Sequence, residues 1–367
     1  MPKTCSDLEQ GAHEHARRTT LHGPAMGTRW SATIDPSPTL DVTSLQHDLA
    51  EAVEQVDAQM SPWKPDSDLL RLNRAAADTW IALPAEILQV LDAALRIERA
   101  SDGAFDIGVG ALVDAWGFGA ARDAPDADAI RAARAQPRPA THASLELDLA
   151  AGRARKHAPL QIDPCGIAKG YAVDRMAEVL QRHGVRHALA ALDGELRAIG
   201  TQADARPWAV ALESPEPGRR TVHGVIELQD LAIATSGDYR RFVRVGDARL
   251  AHTIDGRRAA PLKNDVASVS VLATRCMHAD AWATALLVAG PGAGLALAQR
   301  LGLDALWLLR RNGALVEAGV GRFGAPSSGH AAPAPVAVDQ AAVRRPAAAA
   351  WPASRCHNLA PGVAASR

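Results

Sequence analysis

Between Ile162 and Asp174 the chain reads Ile-Asp-Pro-Cys-Gly-Ile-Ala-Lys-Gly-Tyr-Ala-Val-Asp, and this run limits the local fold more tightly than any other. A short apolar stretch meets an acid and a small-residue turn, then a predicted helix with Lys169 in its first turn. The first N–H groups of a helix lack partners within it, and a nearby cation adds to their attraction for an anion, so the run suits a phosphorylated ligand. Gly166 and Gly170 allow close approach, either of a ligand to the backbone or of the helix to a neighbouring strand. Both uses stay open on this run alone, because Gly-x-x-x-Gly is a common pattern.

Around this run, hydrophobic spacing sets out the other elements. Leu45, Leu49, Val53, Val56 and Met60 predict an amphipathic helix over 44–60. A second helix is predicted from Pro84, burying Ile87, Leu91, Ala94 and Leu95 and stopped by Gly103. A short Ala-rich helix follows over 126–135. The helix after the glycine run spans 167–183, with Val173, Met176, Val179 and Leu180 inward and Gly184 as its stop. Short strands are predicted at 145–149 and 158–162, and strand-like runs at 187–192, 207–213, 222–228, 240–246 and 266–273. Helices at 279–289, ending at Gly290-Pro291, and at 292–301 precede runs at 304–310 and 313–318. Asn312-Gly313 would join those last two as a hairpin. Without strict β-α-β alternation, the order predicts an α+β fold of mixed sheets with packed helices. Residues 1–20 read as a polar extension, 21–324 as one domain, and the Ala/Pro-rich stretch 325–367 as a disordered tail.

A net charge of −1 gives no electrostatic case for nucleic acid or an anionic membrane. Cys5, Cys165, Cys276 and Cys356 are scattered without Cys-x-x-Cys spacing, which argues for reduced thiols over a zinc site or disulfide framework. The first residues are polar and His-rich, with no apolar leader core, and no transmembrane segment is read along the chain. The expectation, as the sequence stands, is a cytoplasmic protein.

Three further segments carry chemistry. Ser101-Asp102-Gly103-Ala104-Phe105-Asp106, followed by Trp116-Gly117-Phe118-Gly119, sets acids and turn residues beside aromatics. Such groups can sandwich a flat heterocycle or simply close a turn over the core. Asp280 and Thr284 are four apart, hence on one helical face. A carboxylate with a hydroxyl suits a hard cation completed by phosphate and water, although an early-helix Asp also serves as a cap. Ala234-Thr235-Ser236-Gly237 offers hydroxyls at a strand end. His252 is either a hydrogen-bonded structural residue or a base able to take a hydroxyl proton near neutral pH.

Met26-Gly27-Thr28, Met60-Ser61-Pro62-Trp63-Lys64-Pro65-Asp66-Ser67, Asp102-Gly103-Ala104-Phe105-Asp106, Trp116-Gly117-Phe118-Gly119, Gly166-Ile167-Ala168-Lys169-Gly170-Tyr171-Ala172-Val173-Asp174, Ala234-Thr235-Ser236-Gly237 and Asp280-Ala281-Trp282-Ala283-Thr284 follow one another in a family order. Over roughly residues 24–320 the chain resembles the ApbE family, FAD:protein FMN transferases, and seven ordered segments are far more specific than any one of them. The resemblance implies an ApbE-like, T-fold-like architecture, with Mg²⁺ as cofactor and FAD as substrate. It implies transfer of the FMN half to a threonine hydroxyl of an acceptor flavoprotein carrying a Ser/Thr-containing flavinylation motif, with release of AMP. Asp280 and Thr284 would be side-chain metal ligands, with the Ala172 carbonyl as a third. Met26, Trp63, Ala104, Phe105, Asp106, Lys169, Arg175 and Ile254 would contact FAD, and His252 would be the base. Two other activities fit the same residues: hydrolysis of FAD to FMN and AMP, and carriage of FAD without cleavage.

The chain also departs from the family pattern. Leu192-Asp193-Gly194-Glu195 stands where Gly-Gly before an acid is frequent, placing an extra carboxylate near the site. His252-Thr253-Ile254-Asp255-Gly256-Arg257-Arg258-Ala259 lacks the usual proline and the later glycine. Position 283 is Ala where some members carry a further acidic ligand, which implies weaker Mg²⁺ binding before FAD arrives. Trp63 replaces a frequent Tyr, an exchange that keeps an aromatic face. Many relatives are exported lipoproteins; Cys5 follows no apolar run and is not read as a lipidation site.

Overall fold

The chain opens with a hairpin of β1 (Thr19–Ala25) and β2 (Thr28–Ile34), turned at Met26 and Gly27, both at positive φ. Helices α1 (Val42–Met60) and α2 (Asp68–Arg74), β3 (Ile81–Ala82), and helices α3 (Ala85–Ala100), α4 (Gly110–Ala115), α5 (Ala127–Ala135) and α6 (Thr141–Ser144) follow. Next come β4 (Leu145–Asp148), β5 (Arg153–Lys156) and α7 (Ala168–Arg182). The strand-rich half holds β6 (Ala188–Leu192), β7 (Glu195–Ile199), β8 (Trp208–Glu213), β9 (Val222–Leu228), β10 (Ala232–Gly237), β11 (Phe242–Val245) and β12 (Ala248–Ala251). It closes with β13 (Ile254–Asp255), β14 (Ala260–Pro261), β15 (Val266–Ala273), α8 (Cys276–Leu301), β16 (Asp304–Arg311) and β17 (Ala314–Val320). These elements belong to a computed structural model that describes residues 18–135, 138–216, 221–239, 242–245 and 248–324. The expected tail at 325–367 and most of the expected N-terminal extension lie outside the described residues. β1 begins two residues inside the stretch assigned to that extension.

Eight strands form one antiparallel sheet in the order β1-β2-β6-β7-β10-β15-β16-β17. Alternation along each strand sends successive side chains to opposite faces. Ala188, Ala190 and Leu192 of β6 join the core built with α1, α3, α7 and α8. Leu196, Ala198 and Ile233, on the other face, pack beneath the separate β8–β9 hairpin through Trp208, Val210 and Leu228. The sheet is therefore covered by helices on one side and, over its centre, by a two-stranded hairpin on the other. The fold is α+β, as its element order implied.

The predicted helices at 44–60, 84–103, 126–135 and 167–183 form within a few residues of their expected bounds. Asn312 and Gly313, both at positive φ, turn the β16–β17 hairpin. α8 begins at Cys276, earlier than expected, and breaks where predicted, at Gly290 (φ 75°, ψ 177°) before Pro291. By length and composition this helix could cross a bilayer. It is instead interrupted at Gly290 and contributes Leu286, Leu287, Leu297 and Ala298 to the core. The strand expected at 158–162 does not form; β5 lies earlier. That segment finds its partners elsewhere: Ile162 N–H donates to Asn73 Oδ1 (2.8 Å), Asn73 Nδ2 donates to the Ile162 carbonyl (2.9 Å), and Gly110 N–H donates to the Gln161 carbonyl (3.0 Å). An extended backbone satisfied by a side chain and a helix start has no need of a neighbouring strand.

Helices α7 and α8 cap each other. Neither has a side-chain cap of its own at its N-terminus, so their leading N–H groups need outside acceptors. Asp174, fully buried on α7, accepts from Cys276 N–H (2.9 Å) and Met277 N–H (3.1 Å) at the start of α8. Asp280 of α8 accepts in return from Gly170 N–H of α7 (3.0 Å). Arg197 of β7 balances the Asp174 charge at 2.6 Å. Gly170 lets the helices meet, since a Cβ there would lie 2.5 Å from the Cys276 carbonyl oxygen. Thus Gly170 does serve close packing, but of helix on helix. Replacing Asp174 by Ala strands two helix N–H groups and Arg197, and should cost about 3–5 kcal/mol of unfolding free energy. Asn, which keeps an acceptor, should cost less. Denaturant titration checks this, and a loss under about 1 kcal/mol for Ala would refute the capping role.

Candidate active site

β10 pairs with β15 over six residues but with β7 over only two, Ala232 with Arg197 and Ile233 with Leu196. Beyond that point β7 ends at Glu195 in its turn to β6 while β10 runs on to Gly237, and a cleft of about 630 Å³ opens past the end of β7. Its lining draws on both faces. Lys169, Glu195, Ser236, Asp280 and Thr284 come from the helix side, and Leu189, Leu196, Ile233, Thr235 and strand β8 from the hairpin side. The size is typical of a ligand site.

On the helix side charges gather around two buried carboxylates, Glu195 and Asp280. Lys169 Nζ lies 2.8 Å from Glu195 and 3.4 Å from Asp193, and Asp280 is only 3% exposed. Burial alone would lower the Lys169 ammonium, but Glu195, Asp280 and Asp193 together raise it. Burial, then the neighbouring Glu195, pushes the Asp280 carboxyl up to about 7, against the pull of Lys169 and the Gly170 N–H. Glu195 is raised too, chiefly by burial. Three carboxylates around one ammonium leave negative charge uncompensated, which a divalent cation would relieve. Thr284 Oγ1 and Ser236 Oγ are hydrogen-bonded at 3.0 Å beside them. This set of hard oxygen donors fits Mg²⁺.

The turn at 104–106 is held from behind. The Asp106 carboxylate accepts from Gly108 N–H (2.7 Å), Thr141 Oγ1 (2.7 Å) and Arg138 Nη2 (2.8 Å), so it fixes the turn and leaves the backbone and the Phe105 ring to face the cleft. Arg138 also donates to the carbonyls of Gly108 (3.0 Å) and Gly256 (3.3 Å), tying this turn to the loop after Ile254. Nothing in the sequence marked Arg138. The departures in that loop now have physical readings. A Cβ on Gly256 would lie 2.5 Å from Asp106 Oδ2, so no proline ring fits there. Ala259 keeps the left-handed backbone (φ 49°) of the missing glycine, and Asp193 (φ 56°) does the same in the β6–β7 turn. Each costs on the order of 1–2 kcal/mol relative to glycine. His252 nevertheless lines the cleft, with Thr253 and Ile254.

Met26, Trp63, Ala104, Phe105, Asp106, Lys169, His252, Ile254, Asp280 and Thr284 are thus brought to one cleft. Trp63 is 52% exposed, an uncovered aromatic face at a binding site. Two expected residues stand apart. Arg175 lies outside the lining, its guanidinium paired with Glu178 one turn on. Ala172 is fully buried inside α7, where its carbonyl belongs to the helix ladder. The backbone that approaches Thr284 is that of Gly166, whose Cβ, if present, would lie 3.1 Å from Thr284 Oγ1. Phe118 lines the cleft whereas Trp116 does not, and Ala283 turns into the core of α8, β15 and β16. Cys165 and Cys276 are thiols, and Cys276 Sγ donates to the Leu196 carbonyl.

The family model described as "ApbE family" matches residues 26–307. The FAD:protein FMN transferase of Vibrio cholerae serotype O1 is 35% identical over 307 residues, covering 83% of this chain and 91% of that protein. The Escherichia coli K12 protein of the same name is 30% identical over 314 residues, covering 84% and 89%. Among solved structures, the flavin transferase ApbE from Vibrio cholerae superposes with a TM-score of 0.75 at 33% identity, over 84% of this chain and 98% of that one. The apo flavinyl transferase ApbE of Pseudomonas stutzeri gives 0.73 at 31% identity, over 84% and 97%. Matched by that family model over residues 26–307 and by relatives at 35% and 30% identity along most of their lengths, the chain belongs to the ApbE family.

Proposed function

We propose that this protein is a Mg²⁺-dependent FAD:protein FMN transferase that moves the FMN half of FAD to a threonine hydroxyl of an acceptor flavoprotein and releases AMP. The observation that carries this reading is the meeting of Lys169, buried Asp280 and Thr284 in one cleft. Relatives named for that activity support it. Mg²⁺, when bound, would neutralise the diphosphate oxygens as the anhydride breaks.

The protein's own residues then have separate tasks. Asp280 and Thr284 would hold the cation, with Ser236 orienting the Thr284 hydroxyl. Lys169 leaves its carboxylate partners for the diphosphate, a fixed charge where negative charge accumulates. Trp63 and the Phe105 turn receive the flat rings of the dinucleotide. His252 accepts the acceptor's hydroxyl proton as the threonine oxygen bonds to the FMN phosphorus, the phosphorus–oxygen bond to AMP breaks, and AMP departs. Positioning and electrostatics dominate such phosphoryl transfers.

Incubation with FAD, Mg²⁺ and an acceptor protein, followed by intact-mass measurement, should show a gain of one FMN on a threonine and one AMP per flavin transferred. AMP without any gain of mass would favour hydrolysis, and intact FAD would favour carriage. Asp280→Asn should abolish Mg²⁺-dependent transfer without lowering the thermal midpoint, because it removes an unfavourable buried charge yet keeps an acceptor for Gly170 N–H. Unchanged turnover in that variant would remove Asp280 from the metal site. His252→Ala should slow transfer ~10²–10⁴-fold while FAD affinity, followed by fluorescence quenching, changes little. Equal losses in both would make His252 a structural residue.

A further inference from the structure

The hairpin side of the cleft carries none of the FAD contacts implied by resemblance, and it ends in an open strand edge. Among the described residues β8 pairs only with β9, and β9 only with β8. Ala209, Val210, Ala211, Leu212 and Glu213 all line the cleft, whereas no residue of β9 does. Side chains alternate along a strand, so consecutive residues share one cavity only when the strand presents its edge to it. The edge of β8 away from β9 therefore faces the cleft, and from Ala209 to Leu212 it carries main-chain N–H and C=O groups that no described strand satisfies.

We propose that the acceptor docks here, its hydroxyl-bearing segment binding in extended form as an added strand along Ala209–Leu212. The proposal rests on the transferase reading and goes beyond it by naming the surface that receives the protein substrate. Three features favour an extended peptide. An open strand edge is completed by another strand, with main-chain hydrogen bonds giving affinity and alternate side chains giving selectivity. Ala209 and Ala211 are small and exposed, leaving room for guest side chains, and Leu189, Leu196 and Ile233 form an apolar floor below. One cleft holds both this edge and, past the end of β7 at Glu195, Thr284 and Asp280. A hydroxyl on the added strand therefore enters the cavity that holds the phosphate-binding groups, where in-line displacement needs it opposite the departing AMP oxygen.

The test uses the full chain with FAD, Mg²⁺ and a short synthetic peptide containing one threonine flanked by small apolar residues. Single N-methyl groups are placed on successive peptide amides, and kcat/KM is read from the FMN mass gain. Strand addition predicts alternation: every second amide, once methylated, lowers kcat/KM about tenfold, while the amides between are tolerated. Hydrogen exchange should show the β8 amides protected on adding the unmodified peptide with FAD bound. Uniform or absent effects of methylation, with β8 unprotected, would overturn the docking while leaving transfer intact. Release of AMP with no flavin on any peptide would sink the transferase reading, and the docking with it.

Discussion

Two buried carboxylates, exchanged between α7 and α8, hold the rest of this structure in place. Asp174 caps α8 and Asp280 caps α7, and a helix end buried without such acceptors would leave costly unpaired N–H groups. The exchange works only because Gly170 has no side chain at the crossing. Its consequence is functional. A side chain that caps a helix is fixed in position, so Asp280 is held beside Lys169 and one helical turn from Thr284 before any ligand arrives. Such preorganisation lowers the ordering cost of binding a cation.

The second constraint is the short reach of β7. It ends at Glu195 and meets β10 at two ladder positions, while β10 runs on to Gly237 beside β15. A polar cluster sits where β7 stops. Glu195 and Ser236, at these strand ends, supply side chains to the helix side. On the other side the β8–β9 hairpin covers the sheet without joining it, leaving one edge turned toward the cleft.

Charge concentrates at this cleft, where Asp193, Glu195 and Asp280 crowd one lysine. Left-handed backbone without glycine occurs beside it, at Met26 and Asp193, and elsewhere, at Asp78, Ala205 and Asp230. Asn312-Gly313 turns a hairpin and Gly302 (φ 64°) ends a helix, as local chemistry favours. Charges gathered at one cleft are what a binding site produces, because its groups are placed for a ligand rather than for the apo fold.

By itself the sequence determined the four helices expected at 44–60, 84–103, 126–135 and 167–183, the last hairpin, the break at Gly290 and, through seven ordered segments, most of the site residues it named, which meet in the cleft. These depend on neighbours three or four residues away or on turn chemistry, and both are written locally. Tertiary structure alone decided which helix Gly170 packs against, that Asp174 is a cap, that Arg138 clamps the 104–106 turn, and that the stretch 158–162 bonds to Asn73 instead of forming a strand. It also withdrew Arg175 and Ala172 from the cleft, since a residue's place on a helix says which face it occupies but not what that face meets. The contacts of Gly170, Asp174, Arg138 and Asn73 join pairs separated by 30 to 110 positions in the chain. Their proximity follows from strand order in the sheet, which residue periodicity does not encode.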